Sequence, residues 1–183
     1  MTAYIRKSIA MGVFDLNDVN QNFGYWAADW YYTNTPYVRF WIPWYKLAPY
    51  GMNNPATDGS PLPGSSFTVA QHVAGLDAQI KYARQLGLKV VLTFDWFPQW
   101  ANGTPDRRTP PPDVSVGSAW ATYLAWIIAR WSALNPNNNG AYADFIEICN
   151  EPNGYTAIPG TYPAAHYVAG RMMMTAQTIQ SYG

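Results

Sequence analysis

The residues whose types and spacing could do chemistry lie late in the chain, in Asp144-Phe145-Ile146-Glu147-Ile148-Cys149-Asn150-Glu151-Pro152-Asn153. Phe145, Ile146, Ile148 and Cys149 form the apolar run that a strand buried on both faces carries. The run ends abruptly in Asn-Glu-Pro-Asn. Pro152 cannot donate to a ladder, so the strand stops there and Glu151 falls at its carboxyl end. In α/β folds that edge binds ligands, and in barrels it carries the catalytic side chains. Glu151 is therefore the candidate catalytic carboxylate. Asn150 beside it offers a donor and acceptors to a ligand hydroxyl or to the glutamate itself. The competing reading of the same residues is an ordinary strand exit with a polar cap.

The elements that must position this carboxylate alternate. Ser8 to Phe14 reads as a first strand, and Asn22 to Asn34, rich in aromatic residues, as a helix stopped near Pro36. Tyr37 to Ile42 has strong β character and is halted by Pro43. Ala48 to Ser66 is a long loop dense in Pro, Gly and Asn, of the kind that is functional or mobile in a compact domain. Thr68 to Leu86 predicts an amphipathic helix, with Val69, Val73, Leu76, Ile80, Ala83 and Leu86 at helical spacing and Gly87 at the C-terminal cap. Leu88 to Phe94 is the third strand and Asp95 to Val116 a second long loop. Gly117 to Leu134 predicts a helix that buries Trp120, Tyr123, Leu124, Ile127, Ile128 and Trp131. The turn cluster Asn135 to Gly140 leads to the Glu151 strand. Gly154 to Gly160 is loop, and Pro163 to Ser181 predicts the last helix. This β-α alternation implies one α/β domain, 1–183, built on a parallel sheet. Four units in 183 residues is about 46 residues each, so eight would take about 366, within the range of a (β/α)8 barrel. The expectation is the N-terminal half of such a barrel, about four of its eight units.

Composition removes several classes of partner. Eleven basic and eleven acidic residues cancel, so no basic face is expected, and neither nucleic acid nor an anionic membrane is an expected partner. Met1 to Ala10 lacks the apolar core of a signal peptide, and no run approaches the roughly 18–20 apolar residues of a membrane helix. The single cysteine, Cys149, excludes an internal disulfide and reads as a buried, inert thiol. His72 and His166 read as helix-surface residues that make no metal site. No glycine-rich phosphate loop follows a strand, so no cofactor is expected. Aromatic residues at 16% supply flat apolar rings, which fill cores and also stack on sugar faces. Trp96 and Trp100 are the better platform candidates because they follow a strand's carboxyl end, whereas Trp41 and Trp44 read equally as core or rim and as sugar platform.

On these residues the chain resembles a known clan. Ile148-Cys149-Asn150-Glu151-Pro152-Asn153 resembles the Asn-Glu-Pro signature ending the fourth barrel strand of clan A glycoside hydrolases. Tyr37-Val38-Arg39 resembles that clan's second strand, whose arginine supports the catalytic carboxylates. Trp96-Phe97-Pro98-Gln99-Trp100-Ala101 resembles the Pro-x-Trp-Ala segment after the third strand in family 39 (β-xylosidase and iduronidase) and some family 5 relatives. The resemblance implies a retaining double displacement on β-linked oligosaccharides or polysaccharides. Glu151 would be the general acid/base, and Asn150 would hydrogen-bond the 2-hydroxyl. Arg39, Asp95, Trp96 and Trp100 would line the substrate site. The clan's nucleophile comes from a seventh strand, which this chain is expected not to contain.

Glu147 shares the phase of Glu151 but lies about 13 Å deeper along a strand, at roughly 3.3 Å per residue. That suits a buried partner for Arg39 or another interior polar group, not a nucleophile. The expectation is therefore a glycosidase fragment that is inactive alone and self-associates through an open barrel face. An extracellular location follows only from the substrate class. A non-catalytic carbohydrate-binding remnant of the same fold, and an unrelated α/β protein, are the competing readings.

Overall fold

The computed structural model describes residues 8–12 and 37–148, except 114 and 116. Glu151, Asn150, Cys149, His166, the Asn22 to Asn34 helix, the Gly154 to Gly160 loop and the Pro163 to Ser181 helix lie outside the described residues. Among the described residues four strands form one sheet: β1 (Ser8–Gly12), β2 (Tyr37–Pro43), β3 (Lys89–Asp95) and β4 (Phe145–Ile148). They pair in chain order, β1-β2-β3-β4, and every pair is parallel. A doubly wound sheet reverses its order at a switch point; this one does not, and it is compatible with part of a TIM-barrel-like fold. Four helices are described: α1 (Trp44–Leu47), α2 (Val69–Gln85), α3 (Gln99–Asn102) and α4 (Ala119–Trp131). None of them is long and apolar enough to cross a membrane.

The strands are two-sided. On one face Val38, Phe40, Ile42, Val90, Leu92 and Phe94 are fully buried. They join Val73, Leu76 and Ile80 of α2 and Trp120, Leu124 and Ile127 of α4 in a single core. On the other face Tyr37, Arg39, Trp41 and Val91 are half-buried and Phe145 is 48% exposed. The expectation that the fourth strand is buried on both faces is thus corrected at Phe145; the burial of Ile148 and Cys149 lies outside the described residues. Among the described residues α2 and α4 cover one side of the sheet, and the other carries Arg39, Thr93 and Glu147 among aromatic and aliphatic side chains.

Local sequence explains the helix ends. Thr68 and Gln71 form a capping box. Thr68 Oγ1 accepts from the Gln71 amide at 3.2 Å, and Gln71 Oε1 accepts from the Thr68 amide at 2.8 Å. Gly87, at φ +77°, closes the other end of α2 in the left-handed conformation that glycine takes without penalty. Ser118 Oγ caps α4 by accepting from the Ala121 amide at 3.2 Å. Arg84, in the last turn of α2, pairs with Asp144, whose Oδ2 also accepts from the Val90 amide at 2.8 Å. That carboxylate pins the start of β4 to β3 and to α2, the helix that precedes β3.

Three details depart from the sequence expectation. The chain turns helical at Trp44–Leu47 directly after Pro43, and again at Gln99–Asn102 inside the second loop. In both, a proline supplies the N-cap position, with extended backbone, and the turn is a single one. His72 is buried, 1% exposed, and not on the helix surface. It sits three residues after Val69 and four before Leu76, inside the apolar stripe of α2.

Candidate functional site

Residues 37, 39 and 41 of β2 alternate onto the half-open face, as do 91 and 93 of β3 and 145 and 147 of β4. The register places Trp41, Thr93 and Glu147 on one rung, and Arg39, Val91 and Phe145 on the rung before it. Arg39 reaches forward one rung, toward the strand exits. Its Nε donates to Thr93 Oγ1 at 2.7 Å and to Glu147 Oε2 at 2.6 Å. The Thr93 hydroxyl in turn donates to Glu147 Oε2 at 2.6 Å. Three strands are thereby joined through three side chains. Arg39 has the partner that the sequence suggested in Glu147. The glutamate side chain is 41% exposed, however, so it is a rim group on the open face and not a deeply buried one.

Trp96 follows β3 directly and has φ +53°, a conformation a bulky side chain rarely adopts. Two backbone hydrogen bonds hold this exit: the Tyr45 amide donates to Trp96 O at 3.0 Å, and the Phe97 amide donates to Arg107 O at 2.8 Å. The strained backbone brings the Trp96 ring against Trp41, with centroids 5.3 Å apart and planes tilted by 44°. Tyr45 lies 6.1 Å from Trp96 on another side, and the Arg107 guanidinium caps the Tyr45 ring at 3.7 Å. Burial raises the Tyr45 phenol pKa, and the positive charge of Arg107 pulls it partly back.

Trp100 belongs to a different cluster. Its ring meets Trp44 edge-on at 5.5 Å, and its Nε1 donates to Ala48 O at 2.7 Å, which leaves it 37% exposed. Asp95 ends β3 in register with Pro43. Asn150 and Glu151 lie outside the described residues. Among the described residues no group of three or more His, Cys, Asp or Glu side chains could hold a metal ion. Sequence reasoning did not single out Thr93, Tyr45 or Arg107. Thr93 carried a signal: it is the polar position in the apolar run Val90 to Phe94, in phase with Asp95.

No protein-family model matches the chain, and no curated protein does. Solved structures do match. One is Fpglu1 from Fervidobacterium pennivoraus, at 16% identity and a TM-score of 0.56, covering 88% of this chain and 38% of that one. Another is the AHE enzyme from Alicyclobacillus herbarius, at 16% identity and a TM-score of 0.51, covering 91% of this chain and 35% of that one. The chain thus spans less than two fifths of the length of either. At this identity the likeness is one of fold alone.

Proposed function

We propose that this chain forms part of a TIM-barrel glycoside hydrolase that cleaves β-linked glycosides with retention. The observation that carries the reading is the Arg39–Thr93–Glu147 network on the open sheet face, on the strand that leads into Asn150-Glu151. Glu151 stands four residues after Glu147, in the same two-residue phase. In this reading Glu151 protonates the leaving oxygen and then deprotonates the attacking water. Asn150 holds the 2-hydroxyl. Arg39, fixed at its Nε by two acceptors, presents its planar guanidinium to the catalytic carboxylates. Trp96, backed by Trp41, is the sugar platform. Asp95 lines the cleft and Trp100 its outer rim. We assign the nucleophile to no residue of this chain.

The test is a panel of aryl β-glycosides (xyloside, glucoside, mannoside, galactoside) offered to the protein and to its Glu151→Gln variant. The expected result is a change in tryptophan fluorescence on binding, without turnover. Turnover abolished in the variant would place a nucleophile within these residues and correct that part of the proposal. Neither binding nor turnover would remove the glycosidase reading, and binding that is indifferent to a Trp96→Ala change would remove the platform.

A further inference from the structure

A groove of about 570 Å³ lies between the outward sides of α2 and α4 and the turn that precedes β4. That turn feeds the amino end of β4, so the groove opens away from the strand exits that carry the proposed active site. Its volume falls within the range of small-molecule sites, roughly 300–1,000 Å³. Asp77, Lys81, Trp126, Arg130, Asn137 and Asn139 contribute to its lining.

The charges in this lining do not cancel. Asp77 is fully engaged: it takes Arg130 through both carboxylate oxygens and accepts from Trp131 Nε1 at 2.8 Å. Arg130 is neutralised by the same pair. Lys81 has no carboxylate partner among the described residues, and its aliphatic stem lies beside Gly140. The groove therefore carries one uncompensated positive charge.

The turn is held rigidly while leaving donors and acceptors outward. Asn135 Nδ2 donates to the Ala129 and Arg130 carbonyls at 2.9 and 3.0 Å, so the end of α4 does not face the groove with unmet acceptors. Asn138 Nδ2 donates to Ser132 O at 2.6 Å. The exposed side-chain amides of Asn137 and Asn139 make no hydrogen bond among the described residues. Trp126 supplies an indole wall, anchored by its Nε1 to Asn54 Oδ1 at 3.2 Å.

We infer that this groove binds a small hydroxylated anion, an acidic sugar or a sugar phosphate, with Lys81 on the anionic group and the Asn137 and Asn139 amides on hydroxyls. One cation without a carboxylate partner among the described residues, two unspent carboxamides and an aromatic wall are the complement of such a ligand. The site is independent of Glu151 and of the proposed hydrolysis.

The experiment is ligand-observed NMR titration of the protein with glucuronate, glucose 6-phosphate and glucose. Either anion should bind more tightly than glucose, and which one does so identifies the source of the charge. Lys81→Gln should weaken the preferred anion about tenfold, the loss of one charge-assisted hydrogen bond. Asn139→Gly should weaken it too while keeping the turn, because Asn139 has φ +50° and glycine accepts that backbone. Glu151→Gln should change none of these affinities. Equal binding of glucose and both anions, no binding of either anion, or an unchanged affinity in Lys81→Gln would overturn the proposal.

Discussion

Arg39 spends its Nε on two acceptors that also bond each other, and Thr93 is the hinge of that triangle. Thr93 is fully buried, whereas both charged ends are partly open to solvent. The ion pair alone is thus worth little, and the network owes its rigidity to the buried hydroxyl. Thr93→Val keeps the shape and removes the hydrogen bonds. We expect it to lower stability by about 1–2 kcal/mol in urea denaturation and to weaken glycoside binding through the loosened arginine. A loss below about 0.5 kcal/mol would mean that the triangle carries no load. How far these residues were legible depended on phase. The pairing of Glu147 with Arg39 could be read from the sequence because strand parity puts both on one face. The exposure of Glu147 could not, since nothing local says what covers a face. The φ of Trp96 was beyond reach for the same reason. The backbone there is held by Tyr45, 51 positions from Trp96, and by Arg107, which accepts from the neighbouring Phe97 amide 10 positions before it.

The elements were easier to read, because periodicity and caps are local. The Thr68–Gln71 capping box and Gly87 bracket α2 where the pattern of Val69, Val73, Leu76 and Ile80 predicted it, to within a residue at each end. The one-turn helices after Pro43 and Pro98 were missed because four residues give no period to detect. The α2 stripe also hides two polar residues, His72 and Gln79. Gln79 is fully buried, and among the described residues neither its Oε1 nor its Nε2 has a hydrogen-bond partner. An orphaned carboxamide costs about 1–3 kcal/mol of desolvation with nothing returned. Gln79→Met keeps the length, the helix propensity and the flexibility of the side chain while removing both polar atoms. It should raise stability by about 1–2 kcal/mol, which for a chain of this size is a thermal midpoint higher by roughly 2–8 °C. Calorimetry showing a lower midpoint would mean that Gln79 meets a partner in solution.

At the scale of the molecule, Trp44 joins parts that the sheet alone does not. It directly follows the end of β2, stacks on Tyr123 of α4 at 4.8 Å and 18°, and meets Trp120 at 5.5 Å. It also meets Phe97 at 6.2 Å and Trp100 at 5.5 Å on the segment after β3. The sequence left Trp44 open between core and sugar platform; full burial makes it core. One ring therefore locks the exits of two adjacent strands to the helix that covers them. Because Pro43, its neighbour, lies in register with Asp95, that lock also sets where the Trp96 turn begins. Trp44→Ala should cost about 3–5 kcal/mol, a large share of the roughly 5–15 kcal/mol that holds a domain folded. The half-exposed Trp100 makes the informative control. Trp100→Ala loses one hydrogen bond and a partial ring contact, and should cost no more than about 2 kcal/mol. Urea denaturation of both variants separates the two roles. Equal losses would place Trp44 at the rim with Trp100, whereas a loss confined to Trp44→Ala, together with a shifted Trp96 fluorescence signal, would show that the core side of the sheet fixes the geometry of its open edge.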